Sequence, residues 1–249
     1  MFQLFRKARM WERHPLRDAY DVVIIGGGVH GLSTAYYLGK LGVTNVAVLD
    51  RGYLGGGASA RTTAIIRANY LTREGIPFFR ESLKLYEGLA RELDYNLLFS
   101  QMGRLDLGHT DSAVFGLRLR AEFNRMLGVD SRMIGPREIK DLVPPIDLRQ
   151  GKTLPIVAAL YHPPGGVIRH DAVVWGYGRA ASRLGAELHP FTEVTGITRE
   201  DGRVTGVETA GGPVRAGTVV SATAGWSSAI AAMVGLRLPI ATHPLQAFV

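Results

Sequence analysis

An α/β fold is predicted for this 249-residue chain by three observations. The apolar stretch DVVIIGGG at 21–28 reads as a buried strand running into a glycine turn, and HGLSTAYYLGKLG at 30–42 has helical spacing. NVAVLD at 45–50 is a second short apolar strand, so Tyr20 to Leu49 forms one βαβ unit. After residue 158 the same glycine-rich style returns, which assigns two separate chain segments to one α/β domain.

The remaining elements follow in order. Between 72 and 93, Ile76, Phe79, Leu83, Tyr86, Leu89 and Leu93 recur at three- or four-residue steps, the stripe of a long amphipathic helix. GRLDLGH at 103–109 predicts a strand, and Asp111 to Leu127 a helix. GPREIKDLVPP starts a short helix with Pro136 near its first turn and stops it at Pro144. AALYH at 158–162 is a strand. GGVIRHDAVVWGYGRA at 165–180 then gives two glycines, a Val-Ile strand pair and the entrance of a helix running to Leu184. Asp171 is placed to cap that helix, which by local pattern alone leaves His170 a passenger on the turn. From Glu193 to Ala222 the sequence is strand-rich, with Asp201-Gly202 as a hairpin turn. The chain closes on the apolar HPLQAFV, which reads as a strand and suggests a fragment of a longer polypeptide. Together these elements predict a basic arm over 1–19, a discontinuous nucleotide-binding domain from 20–88 and 158–230, and an incomplete second domain from 89–157 and 231–249.

Composition excludes several functions. With 46% hydrophobic and 20% charged residues the chain is globular, and the absence of cysteine rules out disulfides, thiolate metal sites and a cysteine nucleophile within it. The net charge of +7 comes from scattered basic residues without interleaved stacking aromatics, which argues against nucleic acid. Its densest run, MFQLFRKARMWERHPLR, suits an acidic partner and lacks the apolar run of about 7–15 residues that a secretory signal needs. No apolar run reaches the roughly 18 residues of a membrane helix. A cytoplasmic location is expected. Neither HExxH nor a paired His-carboxylate motif occurs, so no metal is expected. His30 is expected to pack against its helix start, and His109, His162 and His243 to be structural; Asp111, Asp130 and Asp201 read as caps and turn residues.

The chemistry begins at GGGVHG, which holds GxGxxG at Gly26, Gly28 and Gly31 between a strand and a helix, with Asp50 ending the next strand. Gly26 allows the tight turn, Gly28 lets backbone approach a pyrophosphate, Gly31 permits close helix packing, and the helix N-terminus attracts the phosphate charge. Asp50 is positioned to accept from ribose hydroxyls. The order of these features predicts a dinucleotide site. Immediately after Asp50, RGYLGGGASARTTAIIR carries a second glycine cluster that includes Gly56 and Gly57. A nicotinamide site has no need of this loop, whereas a larger cofactor needs another small-residue surface, so FAD is favoured over NAD. Arg67 in the same run fits either a carboxylate clamp or a surface ion pair.

The succession YDVVIIGGGVHGLSTAYYL, VAVLDRGYLGGG, RTTAIIRANYL, FSQMGRLDLGH, RHDAVVWGYGRA, EVTGI and HPLQAFV resembles the beta subunits of heterotetrameric sarcosine oxidases. These belong among the glycine-oxidase and D-amino-acid-oxidase-like flavoenzymes. The resemblance runs from about Tyr20 to the last residue. It implies an FAD-binding Rossmann-type domain, like that of glutathione reductase, with an inserted α+β substrate domain. It implies noncovalent FAD on the first glycine motif and Asp50, with backbone near Val194 meeting the adenine and the ATAGWSS turn around Gly225 passing the pyrophosphate. Arg67 matches the arginine that holds the substrate carboxylate, and His170 matches the histidine that carries FMN covalently, with Arg169 in the FMN environment. The implied partners are alpha, gamma and delta subunits. The implied reaction takes a hydride from the N-methyl carbon of sarcosine to FAD, passes electrons through FMN to oxygen, and yields hydrogen peroxide with glycine and formaldehyde or methylene-tetrahydrofolate. Oxidation of another amino acid or opine, or a non-catalytic flavin-binding fragment, are the other readings. A covalent flavin separates the first of these from sarcosine oxidation.

Overall fold

The computed structural model of the chain describes residues 10–148, 154–244 and 246. Most of the closing HPLQAFV run and the first half of the basic arm lie outside them. The elements run β1 (Ala19–Ile25), α1 (Val29–Lys40), β2 (Val46–Asp50), β3 (Ile65–Ile66), α2 (Gly75–Glu92), β4 (Arg104–Gly108), α3 (Asp111–Met126), β5 (Arg132–Ile134) and α4 (Pro136–Leu142). They continue with β6 (Ala158–His162), β7 (Gly166–Val167), α5 (His170–Arg183), β8 (Glu187–Pro190), β9 (Val194–Glu200), β10 (Arg203–Thr209), β11 (Gly212–Ser221) and α6 (Ser227–Ala232).

The chain divides into two compact units, Met1–Thr63 with His170–Val249, and Ala64–Arg169. The sequence pattern placed the boundaries elsewhere, at 88/89 and 157/158. The difference arises because α2 buries Ile76 and Leu83 beside Ala68 and Val129, while β6 pairs with β4 and β5. Residues 231–249, expected with the second domain, group with the first unit.

In the first unit one six-stranded sheet has the order β8-β2-β1-β11-β10-β9. β8, β2, β1 and β11 are parallel, and β11, β10 and β9 form an antiparallel meander. The βαβ unit forms where the pattern placed it, with Val22 opposite Val46 and Ile25 opposite Leu49. Val23, Ile25, Ala47 and Leu49 pack with Val194, Val207, Val214, Ala216 and Ile230, apolar surface whose removal from water drives the sheet together. α1 packs close to α5, since a Cβ on Gly39 would lie 2.8 Å from the Leu184 side chain. The hairpin turn lies at Asp201 and Gly202, whose φ values of 49° and 77° are the left-handed pair that matches the strand twist. β8 is an edge strand with two buried polar side chains. Glu187 accepts from Tyr20 Oη at 2.6 Å and pairs with Arg17 at 2.8 Å.

In the second unit β4, β6 and β5 make an antiparallel sheet in the order β4-β6-β5, and β3 pairs with β7. Ile134, Ile139 and Ala159 form one of its cores. Two expected caps are corrected. Thr110, not Asp111, caps α3: its Oγ1 accepts from Ala113 N at 3.1 Å, and Asp111 is the first helical residue. Asp171 lies inside the first turn of α5, where its carboxylate accepts from Ala172 N at 2.9 Å. Both acids still stand at the favourable end of a helix dipole.

No helix among the described residues is long and apolar enough to cross a membrane. None of their His, Asp and Glu side chains group in threes to hold a metal ion.

Candidate functional site: a dinucleotide cradle and an arginine cluster

The parallel strands of the first unit deliver the first glycine motif to their carboxyl ends. Gly26 has φ +109°, and a Cβ there would sit 2.5 Å from the Ala222 carbonyl oxygen in the loop after β11. A Cβ on Gly31 would come 1.9 Å from the Gly26 carbonyl oxygen, so only glycine allows α1 this close to the turn. Gly28 is the N-cap of α1, without a side-chain cap and without an acid in the first turn. The N–H groups and dipole of that end are suited to an anion.

Asp50 binds the turns on either side of it. Its Oδ2 accepts from Gly27 N at 2.7 Å and its Oδ1 from Gly52 N at 2.8 Å. A carboxylate has lone pairs beyond these two, so accepting ribose hydroxyls remains open to it. The second glycine cluster folds onto the first: Gly55 N donates to Gly27 O at 2.8 Å, and Val29 N donates to Ser59 Oγ at 3.1 Å. Gly56 and Gly57 lie in this loop, their carbonyls accepting from Arg61. Thr192 N donates to Asp50 O at 2.7 Å, which ties the chain just before Val194 to the end of β2. Gly225 follows Ala222 in the same loop, and Arg51 stacks over Trp226 at 4.3 Å. The structure thus gathers Gly26, Gly28, Gly31, Asp50, the Gly55 to Gly57 loop, the approach to Val194 and the loop of Gly225. The close packing that only glycine permits at Gly26 and Gly31, beside a helix start with no acid in its first turn, fits a dinucleotide pyrophosphate.

His170 opens α5 and is half-buried, and Arg169 before it is exposed. His30, expected to pack, is exposed; it contributes only its carbonyl, accepting from Ser33 and Thr34.

The second unit carries a charge cluster that the sequence pattern did not suggest. Asp106, on β4, accepts from Arg104 Nη2 at 2.6 Å and from Arg120 of α3. Burial opposes its ionisation, but Arg104's hydrogen bond and the charges of Arg120 and Arg104 outweigh it and hold the carboxyl below its usual range. Burial lowers the Arg120 pKa, and the charges of Arg67 and Arg104 add to this against the pull of Asp106. Arg67 is half-buried and lies with its guanidinium 4.1 Å over the Tyr70 ring. Among the described residues it bonds no carboxylate; its Nη1 donates to Asn69 O at 3.1 Å and Asn69 Oδ1 at 3.2 Å. Three guanidiniums around one carboxylate leave the cluster cationic, which suits an added carboxylate better than a surface ion pair does.

His162 lies beneath this segment, fully buried. Its Nε2 accepts from Ala68 N at 3.2 Å, so its Nδ1 carries the proton and donates to Asp130 O at 2.6 Å. Burial pushes its pKa below the usual histidine range, and Arg67 adds to the effect. The folded chain therefore excludes a proton that the unfolded chain accepts. Stability is full above about pH 6.5 and falls as pH drops through the ordinary histidine range. Denaturant titrations at pH 7 and pH 5.5 are expected to show this fall, and His162→Gln to make it shallower; equal slopes in both proteins would refute the assignment. His189, also pushed down chiefly by burial, supplies a residual slope.

A parallel sheet with this glycine turn, helix and acid defines a dinucleotide-binding protein of the Rossmann class. Residues 21–249 match the family model for FAD dependent oxidoreductases, and the chain belongs to that family. Sarcosine oxidase subunit beta of Arthrobacter sp is 46% identical over 241 residues, which are 96% of this chain and 60% of that protein. The Rhizobium meliloti protein of the same name is 45% identical, over 97% of this chain and 58% of its own length. Among solved structures, L-proline dehydrogenase from P. horikoshii is 29% identical with a TM-score of 0.82, covering 89% of this chain and 57% of that one.

Proposed function

We propose that the first unit binds FAD noncovalently and that the whole protein is the beta subunit of a heterotetramer, with alpha, gamma and delta partners, that oxidatively demethylates sarcosine in the cytoplasm. The observation that carries this reading is Arg67, a half-buried guanidinium without a carboxylate partner among the described residues, in a chain 46% identical to a sarcosine oxidase subunit beta. Gly26, Gly28, Gly31 and the start of α1 hold the pyrophosphate, and Asp50 takes the ribose hydroxyls. Gly56 and Gly57 supply a second backbone surface, Val194 lies at the adenine and Gly225 beside the pyrophosphate. Arg67 pairs bidentately with the amino-acid carboxylate and so orients the N-methyl group. His170 bears FMN covalently through an imidazole nitrogen, and Arg169 offsets the negative charge of that flavin. The flavins supply the hydride acceptor and the electron relay to oxygen, with peroxide, glycine and formaldehyde or methylene-tetrahydrofolate as products.

The test uses the full-length chain assembled with its partner subunits. Anaerobic sarcosine is expected to bleach the flavin absorbance, and Arg67→Met to raise the half-saturating concentration at least about 30-fold, as for loss of a paired charge. Acid precipitation is expected to leave yellow colour in the wild-type pellet and none in His170→Ala. Bleaching by another amino acid or an opine but not by sarcosine would overturn the substrate. Wholly extractable flavin from the assembled wild type would overturn the FMN anchor.

A further inference from the structure

We infer that Asn69 is a positioning residue that sets the orientation of the Arg67 fork, with Asp106 as its anchor. Asn69 is a polar side chain with no exposure, a costly placement unless its amide is bonded. It is bonded at both ends. Nδ2 donates to Asp106 Oδ2 at 2.8 Å, and Oδ1 accepts from Arg67 Nη1 at 3.2 Å. The direction of the amide is fixed because ionised Asp106 can only accept and Arg67 can only donate. Asp106 is itself immobilised by Arg104, through Nε at 3.1 Å and Nη2 at 2.6 Å, and by Arg120. Arg104 and Arg120 are thus occupied by Asp106, whereas Arg67 is tethered through Nη1 alone.

The tether chooses which edge of Arg67 is offered. One face of the guanidinium lies on Tyr70, which stacks on Phe79 at 3.7 Å. With Nη1 taken by Asn69, the edge formed by Nε and Nη2 has no protein acceptor among the described residues. That edge matches the two oxygens of a carboxylate. A fork already held in place loses less freedom when the ligand arrives. Removing Asn69 therefore weakens recognition of the carboxylate more than it slows the chemical step.

This inference rests on Arg67 being the carboxylate clamp, and the experiment separates the two. In the FAD-loaded complex, KM and kcat are measured for sarcosine and for its amide, whose carboxamide lacks the negative charge, with wild type, Asn69→Ser and Arg67→Met. Asn69→Ser is expected to raise KM for sarcosine about 10-fold, the loss of a hydrogen bond to a charged group, with kcat changed less than about threefold. The preference for sarcosine over its amide is expected to shrink by a similar factor. A purely structural role would alter both substrates equally, and that result overturns the inference. If Arg67→Met removes the preference while Asn69→Ser keeps it, the positioning role alone fails. If Arg67→Met keeps the preference, the clamp fails, and with it the inference. Should Asn69→Ser not retain FAD, Asn69→Thr, which fills more of the site, is read by the same criteria.

Discussion

Replacing Gly31 with alanine is expected to abolish FAD retention. The added Cβ would stand 1.9 Å from the Gly26 carbonyl oxygen and 3.4 Å from the Ile24 side chain. Ordinary contact needs well over 1 Å more than that, and the obstructing atom is backbone. Either α1 moves away from the turn or the turn opens, and both displace the helix N-terminus from the phosphate path. The FAD dissociation constant is expected to rise by a factor on the order of 100 or more, about 2.7 kcal/mol, measured by flavin fluorescence titration. Gly57→Ala is the informative control. Nothing lies within 4 Å of a Cβ at Gly57, so a loss of FAD there reports the ligand's own path. Unchanged affinity in Gly31→Ala would contradict the placement of the pyrophosphate.

Asp106→Ala is expected to destabilise the second unit by about 3 kcal/mol, the usual cost of removing one partner from a buried ion pair. The change leaves Arg104 and Arg120, side chains only 26% and 15% exposed, facing each other and Arg67 without a counter-charge. It also strips the acceptor from the Asn69 amide. Because the Asp106 carboxyl is held below its usual range, its stabilising effect is full above about pH 4 and is lost as pH falls further. Denaturant unfolding of wild type and variant is expected to differ at pH 7 and to converge toward pH 3. A difference below about 0.5 kcal/mol at pH 7 would mean that the cluster is a solvated surface network.

Legibility in the sequence followed how local the cause was. The βαβ unit, α2, α3, α4, α5 and the Asp201-Gly202 hairpin were readable because their apolar periods, prolines and turn residues act over a few residues. β8 escaped because Glu187 and His189 put polar groups on a buried face, and what satisfies them, Tyr20 and Arg17, lies far away in sequence. β3 and β7 have two residues each and exist only through their pairing. The first glycine turn was legible as a motif, since Gly26 and Gly31 meet within one strand-turn-helix. Arg67 was visible only as an isolated cation with two open readings. Its surroundings were not, because Asn69, Asp106 and Arg120 come from a loop, a strand and a helix that no spacing rule connects. The alternation of Arg104 and Asp106 on one face of β4 was the single local hint. Thr110 took the cap expected of Asp111 because the helix begins one residue earlier than its first acid suggests.

Bound FAD is the centre of the proposed chemistry. The most direct measurement is to denature the purified full-length protein with heat and identify what the supernatant releases by chromatography and mass. One equivalent of FAD per chain is the predicted result. Release of a nicotinamide dinucleotide, or of no dinucleotide from a protein that is folded and assembled with its partners, would contradict it.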